Sequence, residues 1–145
     1  MTSRIFVDTN VWVYTVDQGE PDKQAQARLA VAPAPDMDVV VSAQVLGEFY
    51  VTVTRRLAVP LAAPEAAGLV DRMRGLSVVP IDSDLVAAAL ANARAWQTSY
   101  WDALILTAAE TSGCDVVLSE DLSHDRVYGT VRVENPFLRG QGPNA

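Results

Sequence analysis

The sequence predicts a single α/β domain in which a parallel sheet is flanked by helices. Three observations lead there. Ile5-Phe6-Val7, Val39-Val40-Val41 and Val116-Val117-Leu118 are short, largely β-branched apolar runs, the pattern of strands buried on both faces. Helical stretches separate these runs without hairpin dipeptides between them, as βαβ units require. The first and last of them end abruptly in acids, Asp8 and Glu120-Asp121.

Taken in order, the first strand lies in Arg4 to Val7, and a short helix carrying Trp12 and Tyr14 follows from Val11 to about Val16. Asp17 to Pro21 breaks it, and a second helix spans about Asp22 to Val31, ending in the loop Ala32-Pro33-Ala34-Pro35. Val39 to Val41 is the second strand, with Ser42 able to cap a helix from Ala43 to about Leu57. That helix aligns Val45, Leu46, Phe49, Val53 and Leu57 on one stripe, with Glu48 at its edge. Pro60 ends it; Pro64-Glu65 opens the next helix and Gly75 closes it. Ser77 to Ile81 is a third strand, its Pro80 marking an end or an edge. Asp82 or Ser83 caps an alanine-rich helix to about Trp96, and another helix runs from Tyr100 to about Ser112. Asp115 to Ser119 is the fourth strand, Val131 to Val133 a weak last one, and 140–145 a flexible tail, leaving 1–139 as the domain.

The 145 residues suffice for one domain with a substantial core. The absence of a long apolar run or a signal-peptide pattern, together with a single cysteine, Cys114, points to a soluble cytoplasmic protein. A formal net charge of −7 argues against non-specific nucleic-acid binding through a basic surface. It does not exclude a nucleic-acid enzyme whose acids hold divalent cations. What matters is whether the acids converge.

Parallel strands share a direction, so Asp8 and Glu120-Asp121 reach the same sheet edge despite their separation along the chain. The helix after Ser42 starts at that edge, with Glu48 inside its first two turns. Asp102 lies in the first turn of a helix that is apolar nearly all round and therefore expected to be mostly buried. Each acid also has a plainer use. Asp8, Thr9 or Asn10 can N-cap a helix, and Ser99 to Asp102 has capping-box spacing. Carboxylates gathered together resist ionising unless a divalent ion compensates, and oxygen ligands without clustered His or Cys favour Mg²⁺ or Mn²⁺ over Zn²⁺. The lone His124 reads as a surface-loop residue.

Asp8-Thr9-Asn10, Ser42 to Phe49 with Glu48, Tyr100-Trp101-Asp102-Ala103-Leu104-Ile105 and Leu118-Ser119-Glu120-Asp121-Leu122 occur in the order seen in PIN domains. The chain resembles in particular the VapC-type toxins of bacterial toxin–antitoxin modules, over essentially its whole length. The resemblance implies a Mg²⁺- or Mn²⁺-dependent endoribonuclease on a five-stranded parallel sheet, usually a homodimer, neutralised by a cognate VapB-type antitoxin. Its acidic quartet carries over to Asp8, Glu48, Asp102 and Asp121 as catalytic and metal-binding residues. Thr9 or Asn10 would orient Asp8 or a metal-bound water, and Glu120 and Asp125 are substitutes or supporting groups around Asp121.

Metal in such a site would polarise the scissile phosphate and activate water, while arginines drawn from Arg55, Arg56, Arg72, Arg74, Arg94 and Arg126 grip flanking phosphates. A receiver domain and a dehalogenase-like phosphatase each need a lysine near the site, and the only lysine is Lys23, on an early helix. No GxGxxG or Walker A loop occurs. The rival from another class is a catalytically silent PIN fold serving as a protein- or RNA-binding module. Trp12, Tyr14, Phe49 and Tyr50 are either core residues or the lining of a partner groove.

Overall fold

The computed structural model describes residues 2–141. Its first half contains β1 (Ser3–Val7), α1 (Thr9–Tyr14), α2 (Pro21–Ala30), β2 (Met37–Ser42), α3 (Ala43–Arg55) and α4 (Ala63–Met73). β3 (Ser77–Val79), α5 (Ser83–Trp96), α6 (Tyr100–Thr111), β4 (Val116–Leu118), β5 (Val127–Tyr128) and β6 (Val131–Glu134) follow. A 3₁₀ turn, Pro136–Gln141, closes the described chain. It takes in residues 140 and 141 of the expected tail; 142–145 lie outside the described residues.

The strands form one sheet in the order β3-β2-β1-β4-β6-β5. Every pairing from β3 to β6 is parallel, which gives the expected five parallel strands. The sheet as a whole departs from that expectation: β5 adds a sixth strand, antiparallel to β6. Two residues are too few to show alternation, and Gly129-Thr130, which turns β5 into β6, is not among the common hairpin dipeptides. Gly129 nevertheless has φ 59°, the positive value that a primed hairpin turn requires at its first loop position.

Successive strand residues point to opposite faces. Phe6, Val40, Val117 and Val133 pack in one core with Val45, Phe49 and Val53 of α3 and the buried side of α6. Val7, Val39 and Leu118 face the other way, onto Val11, Ala27 and Phe137. The domain is therefore three-layered. Phe137 sets its ring edge-on to Tyr14, 4.9 Å between centroids, and Lys23 Nζ lies over both rings.

Local chemistry fixes the element ends. Asp8 accepts the Thr9 amide at 2.7 Å and starts α1 two residues before the expected Val11. Ser42 caps α3 through the Val45 amide at 3.4 Å, and Asp82, not Ser83, caps α5 through Leu85 at 2.8 Å. α3 stops at Arg55, short of Leu57, and β3 stops at Val79 because Pro80 has no amide proton to extend a ladder.

The hairpin leaves no room for a side chain at residue 129, where a Cβ would collide with the Glu110 carboxylate. That carboxylate accepts the Thr130 amide at 3.0 Å. Gly129→Ala is expected to cost about 1–3 kcal/mol, through the positive φ and the displaced carboxylate. Urea denaturation at neutral pH checks this; an unchanged midpoint would refute it.

Candidate active site

β1 and β4 are neighbours in register, with Val7 paired to Leu118 and the Asp8 amide donating to the Leu118 carbonyl at 2.9 Å. The residue after each strand therefore emerges beside the other: Asp8 and Ser119. The fully buried Ser119 hydroxyl donates to Asp8 Oδ2 at 2.9 Å. Its oxygen in turn accepts the amides of Asp121 and Leu122 at 3.2 and 3.3 Å, which turns the chain and brings Asp121 to the same edge.

Thr9 and Asn10 occupy the first turn of α1 and each fix a second acid. Thr9 Oγ1 donates to Glu48 Oε1 of α3 at 2.8 Å. Asn10 Nδ2 donates to Asp121 Oδ2 at 3.1 Å and lies 3.3 Å from Ser119 Oγ and 3.5 Å from Asp8 Oδ2. Its Oδ1 accepts the Glu120 amide at 3.0 Å. Both side chains thus orient carboxylates by hydrogen bonds; the Thr9 hydroxyl acts on Glu48, while it is the Thr9 amide that reaches Asp8.

These groups open onto a cleft of about 800 Å³ whose wall includes all four acids, Asp8, Glu48, Asp102 and Asp121. Asp102 enters it from the start of α6, where its amide donates to Ser99 Oγ at 3.1 Å. The expected burial of this helix holds from Ala103 to Ala109, but not for its first turn, where Asp102 is left exposed in the cleft.

Asp8 is different. Only 8% exposed, its carboxyl is raised from 3.8 to about 6. Burial is the main cause; the Ser119 and Thr9 hydrogen bonds oppose it, and the charges of Glu48 and Asp121 add to it.

The structure redistributes the remaining expected residues. Glu120 lines the cleft, but its side chain is taken: Tyr14 donates to Oε1 at 2.7 Å and Lys23 Nζ to Oε2 at 2.6 Å. The Glu120 carboxylate holds the Lys23 ammonium above its usual range, and burial, then Glu120, raises the Tyr14 phenol. Lys23, though on an early helix, thus reaches the cleft rim. Asp125 does not line the cleft; it pairs with Arg132 and His124 at 3.3 Å each. Of the expected RNA-binding arginines only Arg56 lines the cleft, whereas Arg55, Arg72 and Arg94 sit elsewhere on exposed helical positions and Arg74 in the exposed turn that ends α4. Arg126 is spent on the Trp96 carbonyl and the Tyr128 ring. Phe49 is core, Tyr50 lies at the surface, and Trp12 is half-buried with its indole N–H on the Val7 carbonyl at 3.1 Å.

Sequence reasoning missed Ser119, Gln44 and Trp101 as site residues. Ser119 carried a signal, since it follows β4 as Asp8 follows β1. Gln44 is one turn before Glu48 on α3, with its Nε2 3.4 Å from the Trp101 carbonyl and its Oε1 buried without a partner.

The donor chemistry suits a hard divalent cation, because the acids supply only oxygen and Asp8 is a buried carboxylate with anionic neighbours. Among the described residues, no three Asp, Glu, His or Cys side chains are gathered tightly enough to form a finished metal cage. The set fits the ion in kind, with its carboxylates held near one another by neutral donors.

Fold and cleft together define a carboxylate-centred α/β domain with its site at the carboxyl edge of a parallel sheet. The PIN domain model matches residues 5–130, and the chain belongs to the PIN domain family. Among solved structures it is similar to VapC20 of Mycobacterium tuberculosis, a sarcin-ricin loop cleaving toxin, with TM-score 0.61, 24% identity and coverage of 81% of this chain and 89% of that one. VapBC2 of Rickettsia felis, bound to a fragment of its promoter DNA, aligns with TM-score 0.63 and 14% identity over 91% and 98% of the two chains. DNA-bound VapBC of Salmonella typhimurium gives 0.60 and 19% over 94% and 99%. At these identities the likeness is one of fold. No curated protein matches the sequence.

The raised Asp8 carboxyl makes a prediction about stability. Its charged form costs the folded state nothing below pH 3.8, and the cost grows as pH rises towards and past 6, to at most about 3 kcal/mol. Asp8→Asn removes that ionisation. In urea denaturation with EDTA present, the variant should gain stability over the parent at pH 8 and little or none at pH 4. Equal differences at both pH values would contradict the assignment.

Proposed function

We propose that this chain is a metal-dependent endoribonuclease, the toxin of a VapBC-type pair. It would act in the cytoplasm as a homodimer and be held inactive by a cognate VapB-type antitoxin. The observation that carries the reading is that Asp8, Glu48, Asp102 and Asp121, from four separate elements, line one cleft. PIN family membership supports a nuclease. The VapBC complexes among its structural neighbours support an antitoxin partner, and VapC20, a sarcin-ricin loop cleaving toxin, supports a nuclease of this kind. Among the described residues no helix is long and apolar enough to cross a membrane, in keeping with that setting.

In this reading Asp8, Asp121, Asp102 and Glu48 hold Mg²⁺ or Mn²⁺. The ion, when bound, supplies charge against the phosphoryl oxygens and acidifies water. The protein's own work is orientation. Ser119 fixes Asp8, Asn10 fixes Asp121, and Thr9 fixes Glu48, each through a neutral donor that leaves the carboxylate charge intact. A carboxylate in the cleft can take the proton of the attacking water. Arg56, on the cleft wall, can meet a flanking phosphate.

Calorimetric titration with Mn²⁺, followed by an RNA cleavage assay, tests the proposal. Asp8→Asn and Asp102→Asn should each lower cleavage by at least about 100-fold while the fold is retained. A folded double variant that still cleaves RNA with Mn²⁺ present would remove the assigned roles. The silent PIN fold predicts no metal-dependent cleavage by the parent itself. Thr9→Val keeps the shape of residue 9 but frees Glu48, so activity should drop by about 10–100-fold with the circular dichroism spectrum unchanged. Full activity in Thr9→Val would show that the Glu48 hydrogen bond is dispensable.

A further inference from the structure

Trp101 is an anomaly on α6. The helix buries every residue from Ala103 to Ala109, yet Trp101, two positions earlier, is 63% exposed and lines the acidic cleft beside Asp102. A large aromatic left in water needs a reason. The side chain is not loose at its base. Its ring stands edge-on to Tyr100, 4.9 Å between centroids at 70°, and Tyr100 packs against the core. The Trp101 carbonyl accepts from Gln44 Nε2 of α3. An anchored indole therefore stands at the mouth of the cleft with much of its surface open.

From this placement we infer that Trp101 is a base-stacking platform that positions an unpaired nucleotide next to the phosphate held over the acids. The inference rests on the ribonuclease reading and names a substrate-positioning residue for that site. The neighbourhood decides between a base and an apolar protein segment. Val13, Val51 and Ile105 also line the cleft, but Asp102, Gln44, Glu48, Thr52 and Arg56 share its wall with Trp101, so a wholly hydrophobic segment docked there would desolvate polar and charged groups. A nucleobase sets its π-face on the indole and keeps its edge and phosphate among polar groups. Arg56, the one cation among the described cleft-lining residues, supplies a contact for a neighbouring phosphate. Trp101 would thus set affinity and position, while the acids set the rate.

Steady-state cleavage of a single-stranded RNA oligonucleotide with Mn²⁺ by the parent, Trp101→Ala and Trp101→Phe tests this. Trp101→Ala should raise KM about 5- to 150-fold, the range for loss of one stacked base, with kcat changed by less than about threefold. Trp101→Phe should recover most of the loss. Mixing the parent with the same RNA and Mn²⁺ should quench tryptophan fluorescence, and the quench should vanish in Trp101→Ala although Trp12 and Trp96 remain. If the parent cleaves RNA and Trp101→Ala keeps its KM and its quench, stacking is wrong and the nuclease reading stands. If the parent shows Trp101-dependent quenching without cleavage, stacking stands and the hydrolytic reading falls. Sedimentation of Trp101→Ala to a different oligomeric state, with RNA binding unaltered, would place the indole in a protein interface and overturn the inference.

Discussion

The site depends on one pairing in the sheet, the parallel register of β1 with β4. Because Val7 sits opposite Leu118, two residues 111 positions apart leave the sheet at the same point, and Ser119 can reach Asp8. A slip of one residue would turn every side chain of β4 to the opposite face. It would place Leu118 or Glu120 beside Asp8 in place of Ser119 and take the serine hydroxyl from its second oxygen. Burial of Phe6 and Val117 on one face and of Val7 and Leu118 on the other forbids that slip.

The donors around the acids are neutral. Thr9, Asn10 and Ser119 hold Glu48, Asp121 and Asp8 in place without cancelling their charge. Had arginines done this work, the cleft would be locked by ion pairs and closed to an outside cation. The cationic partner is set off to one side, where Lys23 neutralises Glu120. Negative potential therefore stays concentrated where Asp8 is deepest. Two neighbouring acids in sequence, Glu120 and Asp121, have been given opposite electrostatic lives.

That division marks the boundary of what a linear reading could reach. Buried apolar runs give away β1, β2 and β4, and a shared strand direction gives away the convergence of Asp8 with Asp121. The side-chain direction of Glu120 depends on Lys23 and Tyr14, contributed from much earlier in the chain, and no spacing rule reports it. Asp102 was legible as a cleft residue but not as an exposed one, because an apolar helix does not report how far burial reaches into its first turn. β5 escaped for a simpler reason: at two residues it has no periodicity, and its turn glycine is set by a long-range approach of Glu110. Trp101 stands inside the motif that carries Asp102, and nothing in the spacing of that motif reports its exposure.

The contact of Phe137 with Tyr14 joins the closing 3₁₀ turn to the wall of the acidic cleft. Tyr14 touches Glu120 through its hydroxyl and Phe137 through its ring, so the closing 3₁₀ turn buttresses the rim from behind. Chains shortened before Pro136 would strip this buttress and leave Lys23 without one of the two rings beneath it. Purification handles are therefore better carried ahead of Ser3, at the opposite end of β1 from the acids.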